Sequence, residues 1–104
     1  TIQCKSLRDS GKVLKRHDVA YFMASVDALD EVTAFAKEHD ANFPILSDAT
    51  KETSDAYGVL SPIGFAKRWT FYIDKSGAIV SIDKNVNPRS AGSDLDATLS
   101  RLNL

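Results

Sequence analysis

One cysteine, Cys4, stands near the start of the 104-residue chain, with His17, His39 and a single tryptophan, Trp69, further on. A thiolate is the strongest nucleophile that side chains offer near neutral pH, so Cys4 is the first place to look for chemistry. A lone cysteine also serves as a small apolar packing residue, and both readings stay open at this point. With one cysteine, no disulfide can close within the chain. His17 and His39 each follow charged residues near the end of a predicted helix, where positive charge suits the negative end of the helix dipole. No second His or Cys lies at ligand spacing, so the histidines do not read as a metal site. Arg68 opens the run Arg68-Trp69-Thr70-Phe71-Tyr72, and by itself reads as a surface arginine on a strand.

These residues must be held by regular elements. Residues 2–16 read as a helix, with Ile2, Leu7, Val13 and Leu14 on its apolar side and Gly11 weakening its middle. The run from Val19 to Val26 is apolar on both faces and lacks Gly and Pro, the pattern of a strand covered on both sides. Asp27 is placed to cap a helix over residues 28–39, whose buried stripe is Leu29, Val32, Phe35 and Ala36. Phe43-Pro44-Ile45-Leu46 is a short strand, with Pro44 at its start or on an edge. Ser47 and Asp48 cap a helix near 49–57, and Gly58 stands at its C-terminal stop. After a loop over 59–66, residues 67–73 and 78–82 form a hairpin about the turn Asp74-Lys75-Ser76-Gly77. The last helix covers about 92–102, with Leu95, Leu99 and Leu102 on one face.

The order is α-β-α-β-α-β-β-α, which predicts one α/β domain over residues 1–104 with a mixed sheet flanked by helices. The first helix has no strand ahead of it, and the chain opens on Thr1 rather than methionine, so the expectation is that the domain lacks N-terminal strands. Composition is ordinary: 43% hydrophobic, 26% charged, net charge −1. That balance gives no electrostatic reason to expect nucleic acid or an anionic membrane as partner. No apolar run approaches the ~20 residues that span a bilayer. Asp27, Asp48 and Asp74 each follow a strand. Acids in such places can hold Mg²⁺, as in phospho-receiver domains, but they equally suit two helix caps and a turn. A paired acid beside Asp27 and a late lysine, which a receiver needs, are not obvious.

Five stretches together resemble the peroxiredoxin family, in particular its Q-type or bacterioferritin-comigratory branch. Thr1-Ile2-Gln3-Cys4-Lys5-Ser6-Leu7-Arg8-Asp9 is similar to the segment that follows that family's peroxidatic cysteine. Ala24-Ser25-Val26-Asp27 resembles its Gly-Val-Ser-x-Asp strand end, and Phe43-Pro44-Ile45-Leu46-Ser47-Asp48 its Phe-Pro-Leu-Leu-Ser-Asp stretch. Ala56-Tyr57-Gly58-Val59 resembles the common Tyr-Gly-Val, and Arg68 to Gly77 its Arg-x-Thr-Phe-Val-Ile-Asp-x-x-Gly strand and turn.

The resemblance implies a thioredoxin-like fold and a thiol peroxidase, an antioxidant oxidoreductase acting through a redox-active cysteine. On the family's template the peroxidatic cysteine falls one residue before Thr1, so Thr1 marks the first turn of the helix beside it. Arg68 matches the family's active-site arginine. The substrate implied is hydrogen peroxide or a small organic hydroperoxide, and a thioredoxin-like reductant recycles the protein; no metal, haem or flavin is implied. Cys4 keeps three readings: a resolving cysteine, four positions after the nucleophile where Q-type members often use five; a plain helix residue; or the nucleophile itself, which fits the motif worst. Trp69, Tyr72, Phe22 and Tyr21 read mainly as core and secondarily as pocket lining, while Phe43 and Phe65 sit in loop-like positions that suit a contact surface. A non-catalytic thioredoxin-like binding domain is the alternative. Compartment and oligomeric state stay open.

Overall fold

The first sixteen residues make two helices rather than one. In the computed structural model, which describes residues 1–64 and 66–103, α1 spans Ile2–Asp9 and α2 spans Gly11–Leu14. Ser10 leaves helical geometry between them, with φ −92° and ψ 7°. The stripe that turns inward is Cys4, Leu7, Gly11 and Leu14, at the 3-4-3 spacing of one helical face. Ile2 and Val13, expected on the apolar side, are instead exposed. Gly11 is buried because the Asn42 side chain packs against its backbone: a Cβ there would lie 3.0 Å from Asn42 Nδ2.

The run at 19–26 is extended only briefly as β1, Met23–Ser25. It is covered on one side: Tyr21, Met23 and Ser25 are partly buried, while Ala20, Phe22 and Ala24 are exposed. Among the described residues the expected cover on both faces is therefore not present. β1 pairs in parallel with β2 (Ile45–Ser47), Met23 opposite Ile45 and Ser25 opposite Ser47. The crossover between them carries α3 (Leu29–Glu38), as parallel pairing requires. α3 buries Val32 and half-buries Phe35 and Ala36, but Leu29, expected in its stripe, is exposed. Asp27 does not cap α3. Ala28 holds the N-cap position without a side-chain bond, and Asp27 instead accepts from Ser25 Oγ at 2.7 Å.

After β2, α4 (Glu52–Ala56) starts later than expected, with Lys51 at its N-cap; Asp48 reaches its first turn, whereas Ser47 donates to the Asp27 carbonyl and caps nothing. The Asp48 carboxylate accepts from Ser54 Oγ and Ser54 N–H, each at 2.7 Å, and from Thr53 N–H at 3.3 Å. The Ser54 bonds hold this carboxyl below the usual carboxylate range. A depressed folded-state pKa stabilises above the unfolded value of about 3.9 and loses that contribution as pH falls through the lowered value. Asp48→Asn is therefore expected to lower the thermal midpoint at pH 7 and to approach wild type by pH 3, measured as paired melts. A deficit undiminished at pH 3 would show that the charge is not its source.

β3 (Thr70–Ile73) and β4 (Ile79–Asp83) form the predicted antiparallel hairpin, Thr70 opposite Asp83, with a bulge near Tyr72 and Ile73. The Asp74 carboxylate closes the turn by accepting from Ser76 N–H, Ser76 Oγ and Ala78 N–H. Gly77, at φ +88°, supplies the left-handed residue that the turn needs. α5 (Ala91–Leu102) closes the fold. Its Leu99 joins Cys4, Leu7, Leu14, Phe43, Tyr72 and Ala91 in the core, with Leu95 and Leu102 packed against it. Of the two contact candidates, Phe43 is instead buried in this core, and Phe65 lies outside the described residues.

Among the described residues the strands form two pairs, β1–β2 and β3–β4, with no ladder between β1 and β3. Both pairs send side chains into the same core: Met23 and Ile45 from one, Tyr72 from the other. Lys75 Nζ reaches Asp18 at 2.7 Å, so the end of β3 lies beside the approach to β1. β3 thus runs against β1, and a groove of about 610 Å³ lies there, lined by Val19 and Ala20 on one bank and Ile73 and Lys75 on the other.

Candidate active site

Three ties fix the direction of α1. Near its C-terminal end, Asn42 Nδ2 donates to the Arg8 carbonyl at 3.1 Å, and Arg8 Nη1 donates to the His39 carbonyl at 2.9 Å. Residues 39–42 lie ahead of β2, so this end of α1 sits at the amino ends of the parallel strands. Gly92 N–H donates to Ser6 Oγ at 3.0 Å, holding the middle of α1 on the first turn of α5. The N-terminus of α1, at Thr1, therefore points toward the carboxyl ends of β1 and β2. Because β3 runs the other way, its start, where Arg68 stands, lies at that same end.

Arg68 precedes β3 in a tight γ-turn: Trp69 N–H donates to the Lys67 carbonyl at 3.0 Å, and φ of Arg68 is not positive. The turn leaves Arg68 exposed, and among the described residues it makes no ion pair. A guanidinium so placed can present its planar fork of donors to an anion. Thr1 is exposed at the N-cap of α1, and its carbonyl accepts from Lys5 N–H at 3.1 Å. The first N–H groups of a helix point outward and carry partial positive charge, which favours an anion at that place. Thr1 and Arg68 are thus brought to one end of the fold.

Cys4 is placed otherwise. Its side chain is fully buried, in the cluster with Leu7, Leu14, Phe43, Tyr72, Ala91 and Leu99. Burial pushes its thiol pKa up, against the pull of the positive charge of Arg8. In this packing Cys4 is a small apolar residue. We expect native Cys4 to react with a maleimide only as fast as α1 opens, and at the rate of a free thiol in denaturant. Native labelling at the free-thiol rate would contradict its burial.

The histidines serve as ties. His17 Nε2 lies 2.7 Å from Asp96 Oδ1 on α5, and Arg16 Nη2 reaches both Asp96 oxygens at 3.3 Å. His17 thus joins α2 to α5 rather than serving its own helix end alone. His39 packs against Phe35 with the rings tilted and their centroids 4.5 Å apart. Of the aromatics named as pocket lining, Tyr72 is core and Tyr21 packs on Phe43 at 5.7 Å, while Phe22 is 56% exposed. Trp69 lies against Phe71, Lys67 and Lys84. Asp48 and Asp74 spend their oxygens on local N–H and hydroxyl donors.

The sequence profile described as AhpC/TSA family matches residues 1–82, and the chain belongs to that family. A chloroplastic 2-Cys peroxiredoxin, BAS1 of Hordeum vulgare, is 41% identical over 64 residues, 61% of this chain and 30% of that protein. A chloroplastic 2-cysteine peroxiredoxin of Chattonella marina var. antiqua is 40% identical over 63 residues, 61% of this chain and 31% of that protein. The matched stretch spans less than a third of these relatives' own length.

Among solved structures, the peroxidoxin BcpB of Mycobacterium tuberculosis superposes with TM-score 0.87 at 22% identity, covering 97% of this chain and 69% of that one. A PrxQ of Xylella fastidiosa gives 0.85 at 16% identity, covering 99% and 70%. At those identities the likeness speaks to the fold, which is that of peroxiredoxins, a thioredoxin-like α/β arrangement.

Proposed function

We propose that the full-length protein is a thiol peroxidase acting on hydrogen peroxide or small organic hydroperoxides, with its peroxidatic cysteine directly before Thr1. The observation that carries this reading is the shared placement of the α1 N-terminus and Arg68 at one end of the fold, in a chain of the AhpC/TSA family. A cysteine there would sit in the first turn of α1, where helix N–H groups and the Arg68 guanidinium favour its thiolate. The thiolate sulfur attacks one peroxide oxygen; the O–O bond breaks and its electron pair leaves with the other oxygen. That oxygen departs as hydroxide or alkoxide, stabilised by the same donors, and takes a proton to become water or an alcohol. The cysteine is left as a sulfenic acid.

A second thiol then attacks the sulfenic sulfur, water departs and a disulfide forms, which a thioredoxin-like dithiol reduces by exchange. If Cys4 is that second thiol, α1 must first open, because Cys4 faces the core. The same reading completes the domain: a strand ahead of Thr1 lies between β1 and β3 and pairs with both free edges. Membership of a family whose relatives here are named peroxiredoxins speaks against the non-catalytic alternative.

The test uses the full-length protein, treated with one equivalent of hydrogen peroxide in the presence of dimedone and digested for mass spectrometry. The adduct is expected on a cysteine preceding Thr1. An adduct on Cys4, or peroxide left unconsumed, would sink the proposal.

A further inference from the structure

Lys51 holds a backbone conformation that suits glycine better than lysine: φ is 66° and ψ 9° at the N-cap of α4, and its side chain caps nothing there. A strained residue that gains no cap in return points to a use for its side chain. That side chain reaches across to Gly64, where a Cβ would stand 3.1 Å from Lys51 Nζ. Among the described residues the ammonium makes no ion pair. Asp48, the nearest acid before it, is taken by Thr53 and Ser54.

Gly64 belongs to an arch whose feet are joined by the Leu60–Ala66 bridge and by Lys67 N–H, which donates to the Val59 carbonyl at 2.7 Å. Gly64 N–H donates to the Ser61 carbonyl at 3.0 Å and closes the turn at the top, leaving Ile63 79% exposed. Arg68 follows directly on the foot of the arch, so at most about 14 Å of extended chain separates it from Gly64. Lys51 follows the carboxyl end of β2, the same end of the fold to which the N-terminus of α1 points.

We propose that Lys51 and Ile63 form a specificity subsite for hydroperoxides that carry a carboxylate on an apolar chain. Ile63 receives the chain, the Lys51 ammonium receives the carboxylate, and the hydroperoxide group extends toward Arg68. This subsite rests on the peroxidase reading above and names a substrate class for it. One unpaired cation beside one exposed apolar side chain matches a single carboxylate on a hydrocarbon chain. A compact ammonium on a flexible stem accepts a carboxylate without fixing its orientation, which suits a flexible substrate. Nucleic acid or an anionic membrane would call for several clustered cations.

The test follows single-turnover loss of the free thiol in the full-length protein, with hydrogen peroxide, a long-chain fatty-acid hydroperoxide and the methyl ester of that same hydroperoxide. Wild type is expected to react about tenfold faster with the acid than with the ester, and Lys51→Met, which keeps the apolar stem, to bring the two within about twofold. Lys51→Gly suits the left-handed backbone and is expected to do the same, so a folding defect cannot account for the loss. Ile63→Ser is expected to slow acid and ester alike relative to hydrogen peroxide. Equal rates for acid and ester in wild type that consumes hydrogen peroxide would overturn the subsite alone, as would a preference for the acid that survives in Lys51→Met and Lys51→Gly. Failure to consume hydrogen peroxide would overturn the peroxidase reading and the subsite with it.

Discussion

Arg68→Ala in the full-length protein is expected to lower kcat/KM for hydrogen peroxide by about 100- to 1000-fold, the loss typical of removing one preorganised donor from a developing anion. The residue is exposed, precedes β3 in a γ-turn and makes no ion pair among the described residues, so its removal should leave the fold intact. Unfolding in denaturant is therefore expected to be unchanged while peroxide turnover collapses. Arg68→Lys should recover only part of the activity, because an ammonium keeps the charge and loses the planar fork. Single-turnover oxidation, followed by loss of the free thiol, separates this step from recycling. Turnover by Arg68→Ala at the wild-type rate would remove Arg68 from the mechanism.

Gly92→Ala is expected to destabilise the fold by about 3 kcal/mol or more, at the upper end of overpacking. A Cβ on Gly92 would clash with Ser10 Oγ and stand 2.5 Å from both Ser10 Cβ and the Ser6 carbonyl oxygen. The Ser10 hydroxyl can rotate away, but the Ser6 carbonyl belongs to α1 and cannot move without the helix. The methyl group therefore pushes α1 off α5 and strains the bond from Gly92 N–H to Ser6 Oγ. Urea unfolding measures the loss. The exposed neighbour Ser93→Ala serves as control, expected to fall within about 0.5 kcal/mol of wild type. A Gly92→Ala midpoint equal to that of Ser93→Ala would show that α1 and α5 are not in close contact.

Much of this was legible in the sequence, and the exceptions have physical causes. The element order, the Asp74–Gly77 turn and the Leu95–Leu99–Leu102 face follow from local chemistry, where turn residues and periodicity act over a few positions. The motif stretches from Thr1 to Gly77 carried the resemblance that the profile match over residues 1–82 supports. The inward face of α1 and α2 departs from the apolar pattern because Ile2 and Val13 are more apolar than Gly11, yet Gly11 is the one the Asn42 side chain packs on. The spacing of Cys4, Leu7, Gly11 and Leu14 held the signal. The exposure of Phe22 and Ala24 was not legible, because an apolar run shows what a strand can bury and not what lies beside it. Asp27 looked like a cap, but Ser25, two residues earlier, takes its carboxylate first. The joins made by Ser6 with Gly92 and by His17 with Asp96 span 86 and 79 residues, distances at which no local pattern operates.

Those long joins also set an order of events during synthesis. The inward side chains of α1 are made well before Ala91 and Leu99, which cover them. Until α5 has left the ribosome, Leu7, Leu14 and the thiol of Cys4 have no α5 surface to close on. Closure then joins elements some eighty residues apart, so the loop entropy falls on a late, non-local step and slows folding. The hairpin and the β1–α3–β2 unit need no such wait and can form while the chain is still growing. Over that interval Cys4 is open to oxidants in a way that the folded protein denies them.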